Sequence, residues 1–152
     1  MGTVALAMPT AIYGVLIPVG LSETLTISSG FALGPVEGFF VGLLIIVVSD
    51  LYLLPGPWTP FIGGIIGSLG VLGGLLRGRF TPNRRSLAVV AFVATMISEF
   101  LQNLWSSLFF SIPLVGVLVA GLPTLAVALI NNMVLLSLAG PRVIEILQRR
   151  LE

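Results

Sequence analysis

The chain has 152 residues, of which 57% are hydrophobic and only 9% are charged. Ordinary soluble domains have about 45–50% apolar and about 25% charged residues, so this composition argues against a water-soluble fold. Seven arginines and six acidic residues leave a formal net charge of +1, and the sequence contains no lysine, histidine or cysteine. That absence excludes Ser-His-Asp triads, thiol nucleophiles, structural zinc sites, CxxC redox pairs and haem ligation by histidine or cysteine.

Nucleotide chemistry is not expected of this chain. It has no GxxxxGK[ST] motif and no GxGxxG that opens a helix after a strand. No nucleophile and base pair is visible either, so we do not expect an enzyme, a bound cofactor or a metal site. The first apolar stretch lacks a basic flank and no polar mature domain follows it. We therefore expect it to remain as a membrane helix and not to be a signal peptide.

Apolar runs separated by Pro, Gly and Arg predict an all-α, polytopic membrane protein, a six-helix bundle in a single integral membrane domain. Residues 24–54 would form about 46 Å of helix, which is long for one crossing and short for two. The Gly34-Pro35 break favours two crossings with a short second helix. The predicted spans are 2–21, 24–33, 36–54, 58–76, 86–110 and 114–138, and an amphipathic interfacial helix follows over 141–152.

The arginines set the predicted orientation. All seven follow either the fourth or the sixth span, and short basic loops stay cytoplasmic. Six spans then place both termini and the arginine loop inside. Glu23, the Pro55 to Pro57 turn and the Ile112-Pro113 turn face outside.

One span carries a stripe of polar residues. Thr95, Glu99, Gln102, Asn103 and Ser106 fall within an arc of about 100° on a helix, and the opposite face is apolar. A carboxylate at mid-bilayer raises the free energy of membrane insertion by about 2.5–3.5 kcal/mol, even on the scale with the smallest values. Glu99 therefore needs a partner or a water-filled cavity. The stripe indicates a binding site, and hydrogen bonding between helices is the alternative.

Further candidates lie in two other regions. Asn131 and Asn132 lie in the last span, with Thr124 on the same face as Asn131, and they suit either ligand binding or helix bridging. Tyr52 and Trp58 flank the proline-rich turn, where they would form a ligand lid or part of an aromatic belt at the membrane surface.

Glycine recurs at helical spacing in two spans, which allows helix backbones to approach closely. The two stripes are Gly34, Gly38 and Gly42, and Gly63, Gly67, Gly70 and Gly74.

The order of these parts resembles the S components of energy-coupling factor (ECF) transporters, small membrane subunits that capture vitamins and related micronutrients. The first span carries an Ala-x-x-x-Ala step, Ala7 and Ala11, and the short second span ends in Leu-Gly-Pro. A Gly-x-x-x-Gly span that closes near Asp50, an outer proline-rich loop, a glycine-rich fourth span and two polar spans follow.

The resemblance implies high-affinity substrate capture for uptake across the cell membrane of a prokaryote. It implies that Ala7 and Ala11 dock on a transmembrane coupling subunit, and that two cytoplasmic ATPases use the ATP. Pro9 lies between the two alanines and departs from the family pattern, since a proline there would bend the docking face. No nucleic acid partner is expected.

The resemblance fixes no substrate residues, so these come from the polar positions. No arginine is expected in the cavity, and a neutral or cationic, ring-containing ligand is therefore expected. The candidates are Glu99, Gln102, Asn103, Ser106, Asn131, Asn132, Trp58 and Tyr52.

Two other functions remain open from the sequence. A membrane scaffold of the MreD-like cell-shape type is also a small helical bundle, but it has no need of a polar cavity. A small proton-coupled carrier would use Glu99 as its titrating group, although the sequence shows no evident inverted repeat.

Overall fold

The computed structural model describes residues 21–53 and 55–149. Ala7, Ala11 and most of the first predicted span lie outside the described residues, as does the side chain of Tyr52. Over the described residues the chain forms six helices and no strand, which confirms the all-α prediction. The helices are α1 Leu21–Leu33, α2 Pro35–Leu53, α3 Thr59–Leu76, α4 Arg84–Phe110, α5 Leu114–Leu138 and α6 Gly140–Arg149.

Three of these helices, α3, α4 and α5, are long and apolar enough to cross a membrane. They contain 18, 27 and 25 residues. Helices α1 to α5 occupy the segments predicted as the second to sixth spans, and α6 lies in the predicted tail helix.

The chain reverses between α1 and α2 at Gly34, whose φ of 135° is a conformation that suits glycine. Gly30 and Gly38 lie on either side of this turn and face each other, and Thr26 contacts Gly42 further along. This pairing is antiparallel. Residues 24–53 therefore form two helices and not one, as the break after Leu33 predicts.

Helices α1, α2 and α3 pack backbone to backbone through glycine. A Cβ atom built on Gly30 would lie 2.0 Å from the Gly70 carbonyl oxygen, and one built on Gly70 would lie 2.1 Å from that of Gly38. A Cβ atom built on Gly42 would lie 2.8 Å from the Gly67 Cα. No side chain fits at these positions. The predicted close-packing role is confirmed for Gly38, Gly42, Gly67 and Gly70, whereas Gly34 lies in the α1–α2 turn.

Helix α4 begins two residues before the predicted span because Asn83 caps it. The Asn83 side chain accepts a hydrogen bond from the Ser86 backbone N–H at 2.9 Å. At its far end Ser111 has a φ of 55° and the Ile112-Pro113 pair follows, so the helix ends at Phe110.

The turns of the bundle gather at two ends. The Arg77 guanidinium donates to the Leu33 carbonyl oxygen at 3.0 Å, which places the arginine loop beside the α1–α2 turn. At the other end, the ring centroid of Phe61, early in α3, lies 5.5 Å from that of Trp105, late in α4. Helix α6 packs against α1 at the arginine end and buries Ile144 in the common core.

We expect Gly70→Ala to lower the free energy of unfolding by about 1–3 kcal/mol, because the added methyl group meets the Gly38 backbone. Gly64→Ala is the matched control, since a Cβ at Gly64 meets nothing within 4 Å and alanine favours the helix. Thermal unfolding of the two purified variants in detergent measures the difference. Equal melting temperatures would contradict the tight packing.

Candidate functional site

A partly open cavity of about 300 Å³ lies between α4 and α5. Its polar wall consists of Glu99, Asn103 and Ser106 from α4 and Thr124 from α5. This volume is at the lower end of the range for small-molecule pockets, which also combine an apolar lining with few polar groups.

The cavity exists because α5 presents small residues to the polar stripe of α4. Gly116, Ala120 and Gly121 line it on the α5 side. A Cβ built on Gly116 would meet nothing within 4 Å, and one on Gly121 would lie 3.4 Å from the Asn103 amide. The absence of larger side chains leaves room between the two helices.

The sidedness predicted for α4 is confirmed. Thr95, Glu99 and Gln102 are buried, whereas Val93 and Ile97 on the opposite face are exposed. This division follows from the helical period, which brings residues three and four apart onto one face.

Among the described residues that line the cavity, Glu99 is the only acidic one. Its side chain is 7% exposed, and no described residue donates a hydrogen bond to its carboxylate. None of the described arginines lines the cavity. The negative charge of Glu99 and the amide of Asn103 therefore suit a ligand that carries N–H donors or a positive charge.

One aromatic ring lines the cavity near the end of α4. Phe110 lines the cavity, and its ring meets Trp105 edge to face at a centroid distance of 6.3 Å. Trp105 in turn stacks on Phe109 at 4.8 Å. Phe110 is thus the aromatic surface available to a planar ligand, and Trp105 is occupied by its neighbours.

A second polar group lies beside the cavity and centres on Glu23. Its carboxylate accepts hydrogen bonds from the Ser98 hydroxyl at 2.9 Å, the Thr95 hydroxyl at 3.2 Å and the Asn132 amide. The same amide nitrogen donates to the Thr95 hydroxyl oxygen at 2.9 Å. We call these four residues the Glu23 cluster. It joins α1 to α4 and α5.

The predicted environment of Glu23 is wrong. The sequence places it in an outward-facing turn, whereas α1 runs through it and turns its side chain into the bundle, where it is 8% exposed. Asn132 belongs to the same cluster. Asn132 does not line the cavity, and its amide donates to Glu23 and Thr95, so its substrate-binding role stays a prediction.

Other predicted site residues lie elsewhere in the bundle. Gln102 is buried, yet neither it nor Asn131 belongs to the cavity wall. Trp58 is half-buried, lies against Gly56, packs on the hydrophobic core and does not line the cavity. Two hydrogen bonds close the turn before it. The Thr59 hydroxyl donates to the Asp50 carboxylate and accepts from the Gly56 backbone N–H.

Sequence reasoning missed two members of the Glu23 cluster. Ser98 follows Thr95 by three residues, so the helical spacing that identified the stripe also includes it. No Pro or Gly separates Glu23 from the predicted start of the helix at Thr24, which is compatible with a helix that includes Glu23.

The part of the chain described here holds no group of three His, Cys, Asp or Glu side chains that would bind a transition metal. No protein-family model, curated protein or solved structure matches the chain. Its function is therefore argued from the chemistry of the cavity.

We expect Ser98→Ala to destabilise the protein by about 1.5–3 kcal/mol, since Glu23 loses a hydrogen bond to a buried carboxylate. Ser68→Ala is the control, because Ser68 is exposed and its hydroxyl bonds only to the Ile65 carbonyl of its own helix. Unfolding of both variants by heat or denaturant gives the comparison. An effect of Ser98→Ala no larger than that of Ser68→Ala would show that the cluster does not hold the helices together.

Proposed function

We propose that the chain is a multi-pass protein of a prokaryotic cell membrane that captures a small molecule between α4 and α5, as the S component of an ECF-type uptake transporter. The observation that carries this proposal is Glu99, a buried carboxylate that faces an open volume. A charge in an apolar helix is costly, and a ligand would compensate it.

The contrast with Glu23 supports capture over a purely structural role. Ser98, Thr95 and Asn132 of the chain itself supply hydrogen bonds to Glu23. No donor among the described residues does this for Glu99.

The chemistry of the cavity favours a neutral or cationic, hydrogen-bonding molecule with a ring. Glu99 would bind a protonated amine or a ring N–H, and the Asn103 amide offers both a donor and an acceptor. Phe110 provides a flat apolar wall for stacking. A carboxylate or phosphate ligand would require a cationic side chain, and none of the described arginines lines the cavity.

The resemblance to S components supplies the proposed partners. A transmembrane coupling subunit would dock on the first helix through Ala7 and Ala11, and two cytoplasmic ATPases would use ATP to drive transport. Small residues at these positions would allow close approach of two helices. The chain itself would bind only the substrate and lipid.

A thermal-shift screen of purified protein against vitamins, vitamin precursors and modified bases tests the proposal. A ligand at about 100 times its dissociation constant adds about 2.7 kcal/mol of stability. We expect a cationic or N–H-rich hit. Glu99→Gln should then abolish most of its effect, because the carboxylate is the charged group of the cavity.

Glu37→Gln is the matched control, since Glu37 is an exposed carboxylate at the start of α2 and should leave the response unchanged. Two results would contradict the proposal. One is a folded protein that responds to no compound in the screen, which would favour a scaffold. The other is an equal response in Glu99→Gln and in the unaltered chain.

A further inference from the structure

The cavity between α4 and α5 has two ends of different chemistry. Helix α5 runs antiparallel to α4 after the short turn that follows Phe110, and a Cβ built on Gly121 would lie 3.4 Å from the Asn103 amide. Counted from this contact, Thr124 lies about one turn further along α5, and Glu99 lies about one turn back along α4. These two polar residues therefore line the end of the cavity that is remote from the turn.

The end of the cavity beside the turn is apolar and open. Phe110 and Ile112 line it with exposed fractions of 37% and 47%, and Gly116 on α5 is exposed as well. Glu99, at the other end, is only 7% exposed. The turn end is therefore the mouth of the cavity, and the part of a ligand that enters first reaches Glu99.

The cavity is long, and it is wider at its mouth than further in. Glu99 and Phe110 lie about 16 Å apart along the axis of α4, at about 1.5 Å per residue. Between them the Asn103 side chain approaches Gly121, whereas a Cβ built on Gly116 at the mouth meets nothing within 4 Å. The mouth therefore has more room for a ring than the passage beside Asn103.

We propose, on the basis of the proposed function, that the ligand is a monoamine that carries an aromatic ring on a flexible chain of several carbon atoms. Its ammonium group would bind the Glu99 carboxylate, with the Thr124 hydroxyl oxygen as a second acceptor, and its ring would lie at the mouth against Phe110. An aliphatic amine keeps its proton at neutral pH, so it supplies the charge that Glu99 lacks. A charge-assisted hydrogen bond at one end and ring packing at the other would fix the direction of binding.

The charges of the cavity wall select one amino group and no acid. Glu99 is the only charged residue among the described ones that line the cavity. A second ammonium group or a carboxylate inside the cavity would have no counter-charge, and an unpaired charge away from water is costly. Gly116, Ala120 and Gly121 would set the size of the accepted ligand, because they are the smallest residues of the wall.

A series of amines of increasing chain length tests this proposal on the purified full-length protein in detergent. Thermal shifts give the dissociation constants of phenylethylamine, phenylbutylamine and phenylhexylamine. We expect the dissociation constant to fall at least about tenfold from the shortest amine to the longest, because only a long chain lets the ring reach the apolar mouth. The alcohols of the same chain lengths are the uncharged controls and should give no shift. An affinity that does not depend on chain length would overturn the proposal.

Gly116→Leu tests the position of the ring, because it places a large side chain at the mouth. It should raise the dissociation constant of phenylhexylamine at least about tenfold and leave that of phenylethylamine, whose ring lies further in, nearly unchanged. Gly64→Leu on α3 is the matched control, since a Cβ there also meets nothing within 4 Å and Gly64 does not line the cavity. Equal effects of the two variants on phenylhexylamine would overturn the placement of the ring.

The screen of vitamins, vitamin precursors and modified bases separates this inference from the proposed function. One of those compounds could stabilise the protein, and Glu99→Gln could abolish its effect, while no amine of the series gives a shift. That result would overturn the monoamine and leave the proposed function standing. A folded protein that responds to no compound of either set would contradict both.

Discussion

The hydrogen bonds of Glu23 connect two parts of the bundle that are packed in different ways. Helices α1, α2 and α3 meet backbone to backbone at glycines, whereas α4 and α5 meet through side chains and leave a cavity. Glu23 lies on α1 and accepts hydrogen bonds from Thr95 and Ser98 on α4 and from Asn132 on α5. Because such bonds are directional and a buried carboxylate is costly to leave unsatisfied, they fix the position of the α4–α5 pair relative to the glycine-packed helices.

The polar residues of α4 are divided between two tasks. Thr95 and Ser98 donate to Glu23, and Glu99, Asn103 and Ser106, which follow them along the helix, line the cavity. Adjacent positions on one helix thus carry a closed network and an open site. This arrangement keeps one wall of the cavity rigid, because residues that bond to α1 hold the helix that presents Glu99. A rigid wall lowers the entropic cost of binding a ligand.

The sequence predicts the helices well because apolar runs end at strong breaks. The Gly34-Pro35 pair and the Ile112-Pro113 pair mark turns that the structure contains, and helical spacing identifies the polar face of α4. The partners of the polar residues could not be predicted. The spacing within one helix does not say which helix lies opposite, so nothing in the sequence separates Asn132, which meets Glu23, from Thr124, which lines the cavity. Which polar residues of different helices meet depends on the tertiary packing of the helices.

The proposed function requires that the cavity between α4 and α5 be open to water while the protein lies in a membrane. The chain has no cysteine, so a single introduced thiol gives a clean signal. Ala120→Cys would lie in the cavity wall, and Val119→Cys would lie on the exposed apolar face beside it. The thiolate is the reactive form and needs water. In liposomes, we predict that a hydrophilic maleimide labels position 120 much faster than position 119. Equal labelling of the two positions, or no labelling at 120, would contradict it.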